Sequence, residues 1–244
     1  MTKSNSLMKI LLKSSIIFFD FIDKFIHQKR ILNFFLKKNL EINSYVDVGC
    51  HKGSYADLFI DNFKLKQIMM LEPQKEIYLY LRKKYRNYNR INIINSAISN
   101  KDGFRNLNLN HHDLTTTLSD FNKDNFYLKL KAMLFGVKDM NYKKIKVKTI
   151  RLDKILISKR FKKIDLLKVD TEGHELEVLI GLNKKIKTVR YILIEFHNDF
   201  IYRKYNPSKI HNYLKKNNFS LEVKFKFPFT TWEDRIYSNK DEIK

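Results

Sequence analysis

Two segments of the chain gather acids and histidines directly behind apolar runs. Residues 164–175 read IDLLKVDTEGHE, and residues 191–199 read YILIEFHND. Asp170, Glu172 and His174 follow the first run, and Glu195 and His197 stand at the end of the second. In an open parallel sheet such positions lie at the carboxyl edge, where ligands bind. A histidine titrates near neutrality and is suited to take a proton from a hydroxyl, while flanking carboxylates orient the acceptor. An alternative role for Asp170, Glu172 and Glu195 is to hold a divalent metal that lowers the acceptor's pKa. Glu175 is expected in the first turn of the following helix, where a negative charge is favourable.

A third segment, residues 46–55, reads VDVGCHKGSY. A strand, a glycine turn and a helix in succession bring backbone amides against a nucleotide-like ligand. A dinucleotide site needs G-x-G-x-x-G. Here His51 replaces the middle glycine and the spacing is Gly49-x-x-x-Gly53, with Cys50 inside the loop as a further expected cofactor contact. That spacing fits a pyrophosphate poorly and suits S-adenosylmethionine, which carries no phosphate. Asp47 at the strand end can pair with the cofactor's amino group but would repel a phosphate. Glu72 closes the next apolar run and can accept hydrogen bonds from both ribose hydroxyls. It follows the glycine loop by about twenty residues, as a strand-helix-strand unit requires. Ser96 and Ala97, after a third run, can approach the adenine, with Ala97 leaving room for the flat base.

The elements that position these residues are short apolar strands alternating with helices. Strands are expected at 45–49, 67–71, 91–96, 164–169 and 191–196, and helices at 54–63, after Pro73 through 88, at 175–185 and at 207–217. This pattern specifies a class I, Rossmann-like doubly wound α/β fold with a mostly parallel sheet covered on both faces. Residues 221–227 and 232–237 are expected to close it as an antiparallel hairpin. Residues 104–152 interrupt the alternation as an insertion with strands at its ends, holding His111, His112 and the run Thr115-Thr116-Thr117, and are expected to form a lid or substrate loop. Residues 1–40 form an N-terminal helical extension to a catalytic domain at 41–244. Within it, residues 7–26 place Lys9, Lys13, Asp20, Asp23, Lys24 and His27 on one helical stripe and Leu7, Leu11, Phe18, Phe21, Ile22 and Phe25 opposite. Such an amphipathic helix packs on the domain or makes peripheral contact with a membrane.

Composition sets the outer bounds. The 244 residues suit one domain of ordinary size, and 43% hydrophobic against 30% charged residues exclude wholesale disorder and a polytopic membrane protein. A single cysteine excludes a disulfide framework or a cysteine-rich zinc site and makes a cytoplasmic location the expectation. The net charge of +22 raises nucleic acid as a partner. However, the lysines are dispersed, no Asn/Asp-Pro-Pro-aromatic motif is present to grip a flipped base, and Cys50 lies in the glycine loop rather than where it could attack a pyrimidine. Nucleic acid is therefore the less favoured partner. A non-catalytic binding module is disfavoured by the intact Asp47, Glu72 and Asp170.

The motifs together resemble the FkbM-type S-adenosylmethionine-dependent methyltransferases. The resemblance rests on VDVGCHKGSY, LEPQ at 71–74, NSAISNKDG at 95–103, VKTIRLDKIL at 147–156, LLKVDTEGHELEVLIG at 166–181 and ILIEFH at 192–197, and covers residues 45 to 200. It implies an O-methyltransferase acting on a hydroxyl of a small molecule or of a sugar in a glycan or lipid-linked saccharide. It also implies that Asp47, Gly49, Gly53, Glu72 and Ala97 contact the cofactor. In such a reaction the acceptor must lie in line with the methyl group, and a base within hydrogen-bond reach must take its proton. His174 or His197 is the expected base, with Asp170 and Glu172 orienting the acceptor.

Overall fold

The computed structural model describes residues 21–110, 116–122, 124, 125, 128, 129, 141–198, 201–228 and 230–242. Its main sheet has seven strands: β1 (Ser44–Val48), β2 (Gln67–Leu71), β3 (Ile91–Ile94), β7 (Ile164–Val169), β8 (Val189–His197), β9 (Phe219–Lys226) and β10 (Trp232–Asn239). They run in the order β3-β2-β1-β7-β8-β10-β9. The first five are parallel neighbours, and β10 joins β8 and β9 in antiparallel fashion. This is the class I methyltransferase arrangement expected from the sequence, with the closing hairpin in place.

Alternation along the strands explains why both faces are apolar. Val46, Val48, Leu167, Val169, Ile192 and Ile194 point to one face, where α4 (Leu152–Ser158), α5 (Glu175–Ile180) and α6 (Pro207–Lys216) cover them. Tyr45, Ile68, Met70, Leu166, Tyr191 and Leu193 point to the other, under α1 (Gln28–Lys37), α2 (Ser54–Asn62) and α3 (Lys75–Lys84). Every residue of β1 and β7 is buried, as a central parallel strand requires. Each large buried side chain here, such as Phe59, stabilises the fold by about 3–5 kcal/mol relative to alanine.

Three boundaries differ from the sequence expectation. The strand expected over 91–96 ends at Ile94, because the Asn95 side chain turns to donate to the carbonyls of Glu72 and Pro73. The helix expected over 175–185 stops at Ile180, and a 3-10 turn, Asn183–Thr188, follows. A side chain at Gly181 would strike the Ser99 carbonyl at 2.4 Å, so the chain there passes flush against its neighbour. Helix α4 was not foreseen.

The ends of the insertion are strands as expected. Strand β5 (Gly103–Asn110) pairs with β6 (Asn141–Ile150), and β6 also pairs with the short β4 (Ala97–Ile98), giving a separate three-stranded sheet. His111, His112 and Thr115 lie outside the described residues, as do residues 1–20 of the N-terminal extension.

The described part of that extension is helical but does not present the face its stripes suggest. A π-helical turn, Asp23–His27, leads into α1. His27, from the polar stripe, is fully buried, while Phe21 and Phe25, from the apolar stripe, are 54% and 46% exposed. A buried hydrogen bond explains the reversal. His27 Nε2 lies 2.8 Å from Asp234 Oδ2 on β10, and the imidazole packs on the stacked rings of Phe227 and Trp232. Ile22 alone of the three described apolar-stripe residues is buried.

Candidate active site at the carboxyl edge

The strand register places the chemistry in one row. Ile94, Leu71, Val48, Val169 and Ile194 are aligned across five parallel strands. The next residues along the chain are therefore Asn95, Glu72, Gly49, Asp170 and Glu195, all at the same edge. Antiparallel β10 adds Asp234 opposite Glu195.

On one half of this edge the loops fold around Glu72. Gly49 adopts φ +81°, and a Cβ there would lie 1.8 Å from the Asp170 carbonyl oxygen, so only glycine allows β1 and β7 to come this close. His51 also takes a left-handed φ, of 45°, which turns its amide toward Glu72. The His51 amide donates to Glu72 Oε2 at 3.1 Å and the Gln74 amide to Oε1 at 2.8 Å. A cavity opens here, with Gly49, His51, Glu72, Ser96, Ala97, Asp170, Glu172 and His174 in its wall. Leu107, Thr117 and Leu118 from the insertion face it from the other side.

Three expected cofactor contacts stand apart from that wall. Cys50 packs into the apolar core with Tyr45 and Ala56, and burial raises its thiol pKa well above the ordinary value. Gly53 sits at the N-cap of α2, and its carbonyl accepts a hydrogen bond from Tyr85. Asp47 lies under the loop, fully buried, where Tyr45 donates to it at 3.0 Å and Lys168 Nζ stands 3.9 Å away. Burial pushes its carboxyl up to about 6 against the pull of Lys168 and Tyr45.

The other half of the edge is built from side chains that satisfy one another. Glu175 accepts from the amides of Thr171 and Gly173, each at 3.0 Å, and so shapes the loop that carries Asp170, Glu172 and His174. In that loop Glu172 and Gly173 have φ of 56° and 89°, and a Cβ at Gly173 would meet the Tyr202 ring at 2.4 Å. The Tyr202 hydroxyl donates to Glu172. Lys168 Nζ binds Asp170 at 2.8 Å. Burial works against both charges of that pair, yet their mutual attraction prevails, raising the lysine and lowering the aspartate.

Glu195 is raised well above the usual carboxylate range by burial and then by Asp170 and Asp234. Burial lifts Glu172 to about 8, with His197 opposing and Glu195 and Asp170 adding to the rise. His197 Nε2 lies 3.2 Å from Glu195 and 3.7 Å from Glu172. His174 is set differently. Its Nε2 meets the Ser99 hydroxyl at 3.1 Å, and burial, aided by Arg105, lowers its pKa to about 4, too low for an efficient base at neutral pH.

The sequence-selected Asp170, Glu172 and His197 thus converge, with His174 on the cavity wall beside them. Of the proposed metal trio, Asp170 is engaged by Lys168, and the atoms that gather as ligands are those of Glu172, Glu195 and His197. Lys168, Tyr202 and Asp234 were not singled out from the sequence. Lys168 stood in the motif itself; Tyr202 and Asp234 lie beyond it and reach the site only through the fold.

The chain matches the Methyltransferase FkbM domain over residues 47–221. It belongs to the FkbM methyltransferase family. Like that family it is an S-adenosylmethionine-dependent methyltransferase, and the edge described above is where that fold binds its ligands. A stretch of 77 residues is 32% identical to the hexuronic acid methyltransferase AglP of Haloferax volcanii, spanning 32% of this chain and 30% of that protein. The fold is shared with magnesium protoporphyrin IX methyltransferase from Synechocystis PCC 6803, solved with bound S-adenosylmethionine. The TM-score is 0.50 at 11% identity, covering 87% of this FkbM chain and 78% of that one.

Proposed function

We propose that this enzyme transfers the methyl group to a hydroxyl of a sugar, in a glycan or a lipid-linked saccharide. The observation that carries the reading is Glu172. Its carboxyl lines the cavity and also belongs to the cluster with Glu195 and His197. An acceptor placed there lies between the methyl donor and groups able to relieve a hydroxyl of its proton. A carboxylate acceptor, already ionised at neutral pH, would need no such cluster. The partial likeness to a hexuronic acid methyltransferase supports a sugar acceptor.

In this reading Glu72 binds the ribose, Ser96 and Ala97 border the adenine, and Asp47 acts from beneath the glycine loop. Leu107, Thr117 and Leu118 make the insertion a lid over the acceptor. The exposed Phe21, Phe25 and Ile26, beside Lys24 and Lys29, support peripheral contact with an anionic membrane that carries the acceptor. No helix among the described residues is long and apolar enough to cross a membrane.

The test is methyl transfer from radiolabelled S-adenosylmethionine to a panel of hexuronic acid and neutral sugar glycosides, with transfer RNA and amines as alternatives. Alkali-stable label on a sugar is expected. Label only on RNA or on an amine would overturn the assignment.

A further inference from the structure

Glu172, from the loop after β7, and Glu195 and His197, from the end of β8, converge on one point. One carboxylate oxygen of each glutamate and one ring nitrogen of the histidine lie within 4.8 Å of one another. From His197 Nε2, the nearest oxygens of Glu195 and Glu172 are 3.2 and 3.7 Å away. Adjacent ligands of an octahedral ion with bonds of about 2.1 Å stand about 3.0 Å apart. Small side-chain movements therefore suffice to bring all three into coordination.

A second observation points independently to a ligand. His197 is 6% exposed, and its Nε2 is fully buried yet makes no hydrogen bond, although it points into the acidic group. A buried ring nitrogen without a hydrogen bond is costly unless it meets something else. The cationic side chain nearby is already spent. Lys168 binds Asp170, approaches Asp47 and lies over the Tyr55 ring, so one ammonium serves a site that also holds Glu172 and Glu195. Glu172 is itself oriented from behind by the Tyr202 hydroxyl, as ligands to a metal usually are.

We propose that Glu172, Glu195 and His197 form a binding site for one divalent first-row cation, of the Mn2+ type, that holds the acceptor oxygen. Two carboxylates with one imidazole favour such an ion over Mg2+, which prefers an all-oxygen shell. Three protein ligands leave positions for a hydroxyl and a neighbouring oxygen of the acceptor. The hydroxyl on the cation, made more acidic by it, releases its proton to solvent. Its oxygen bonds to the methyl carbon as the carbon-sulfur bond breaks, and the bonding pair leaves on sulfur as neutral S-adenosylhomocysteine. This step rests on the hydroxyl-acceptor reading; the site itself does not.

The full chain, freed of metal with EDTA, is titrated with Mn2+ alone while electron paramagnetic resonance follows the free ion. One Mn2+ per chain is expected. Affinity should fall by at least about tenfold in Glu195→Gln and in His197→Gln, and stay unchanged in Asp61→Asn, which alters an exposed acid elsewhere. Uptake of less than half an equivalent at millimolar Mn2+, or uptake that survives both replacements, overturns the site. Should either variant fail to fold, pulsed resonance on the wild type decides: a directly bound imidazole nitrogen must appear in the Mn2+ spectrum, and its absence is equally fatal. Calorimetry with S-adenosylmethionine on the same samples separates the two readings. Cofactor binding without Mn2+ uptake removes the cation and leaves the methyltransferase; Mn2+ uptake without transfer to any hydroxyl leaves the site and removes the acceptor class.

Discussion

The two halves of the carboxyl edge solve the same problem in opposite ways. From β3 to β1, the acid is held by main-chain amides: Glu72 accepts from His51 and Gln74, residues of its own and the adjacent loop. From β7 to β10, acids are held by other side chains: Asp170 by Lys168, Glu172 by Tyr202, Asp234 by His27 and Tyr55. The first half is a cradle completed by the backbone and stays as it is when empty. The second is a set of mutually compensated charges, whose protonation depends on what enters. Binding and reactivity are therefore separable by mutation.

The cradle should break most severely at Gly49. Gly49→Ala forces a Cβ against the Asp170 carbonyl in a left-handed backbone, and we expect a loss on the order of 3–5 kcal/mol in urea unfolding together with loss of cofactor binding in calorimetry. Unchanged affinity would mean that the two strand ends separate freely. On the other half, Glu195→Gln keeps the shape of the side chain and removes only its capacity to carry charge. Stability should change by less than about 1 kcal/mol, while turnover falls by roughly 100-fold or more. A proportional loss of both would erase the distinction between the halves.

Smaller effects sharpen the comparison. Glu72→Gln weakens two charge-assisted hydrogen bonds, worth about 1–3 kcal/mol, and should raise the KM for S-adenosylmethionine more than it lowers kcat. The last prediction concerns pH. His174 has a folded pKa of about 4 against 6.5 unfolded, so between those values the unfolded chain binds more protons and stability falls as the pH drops. At pH 5 this group should cost on the order of 2 kcal/mol relative to neutral pH. Asp47 acts in the opposite sense. With its carboxyl raised to about 6, it gives a contribution present below 3.8 that is lost as the pH rises through about 6. Unfolding of the wild type and of His174→Gln at pH 7 and pH 5 isolates the histidine, since only the wild type should show its acid loss.

The same division decides what could be read from the sequence. The cradle is made of contacts inside one strand-loop-helix unit and the next strand, so VDVGCHKGSY and LEPQ reveal it. Cys50 was misplaced because alternation past a glycine turn does not tell which side a loop residue faces; here it turns into the core. On the reactive half, Asp170, Glu172 and His197 were legible because each directly follows a buried strand. Their partners were not. Tyr202 reaches Glu172 from a segment with no motif, and Asp234 meets His27 across 207 residues of sequence. The N-terminal stripe misled for the same reason: helical periodicity shows which residues share a face, and the buried Asp234 decided which face turned inward.

Strand β10, the last in chain order among the described residues, is not at the edge of the sheet but lies between β8 and β9. During synthesis, the strands bearing Gly49, Glu72, Asp170 and Glu195 are therefore all made while β8 still presents an open, aggregation-prone border. Until residues 232–239 leave the ribosome, Asp234 is missing and His27 has nothing to bind. A nascent chain can assemble the cofactor cradle early, but the reactive half is finished by β10, so methyl transfer is withheld until residues 232–239 have been made.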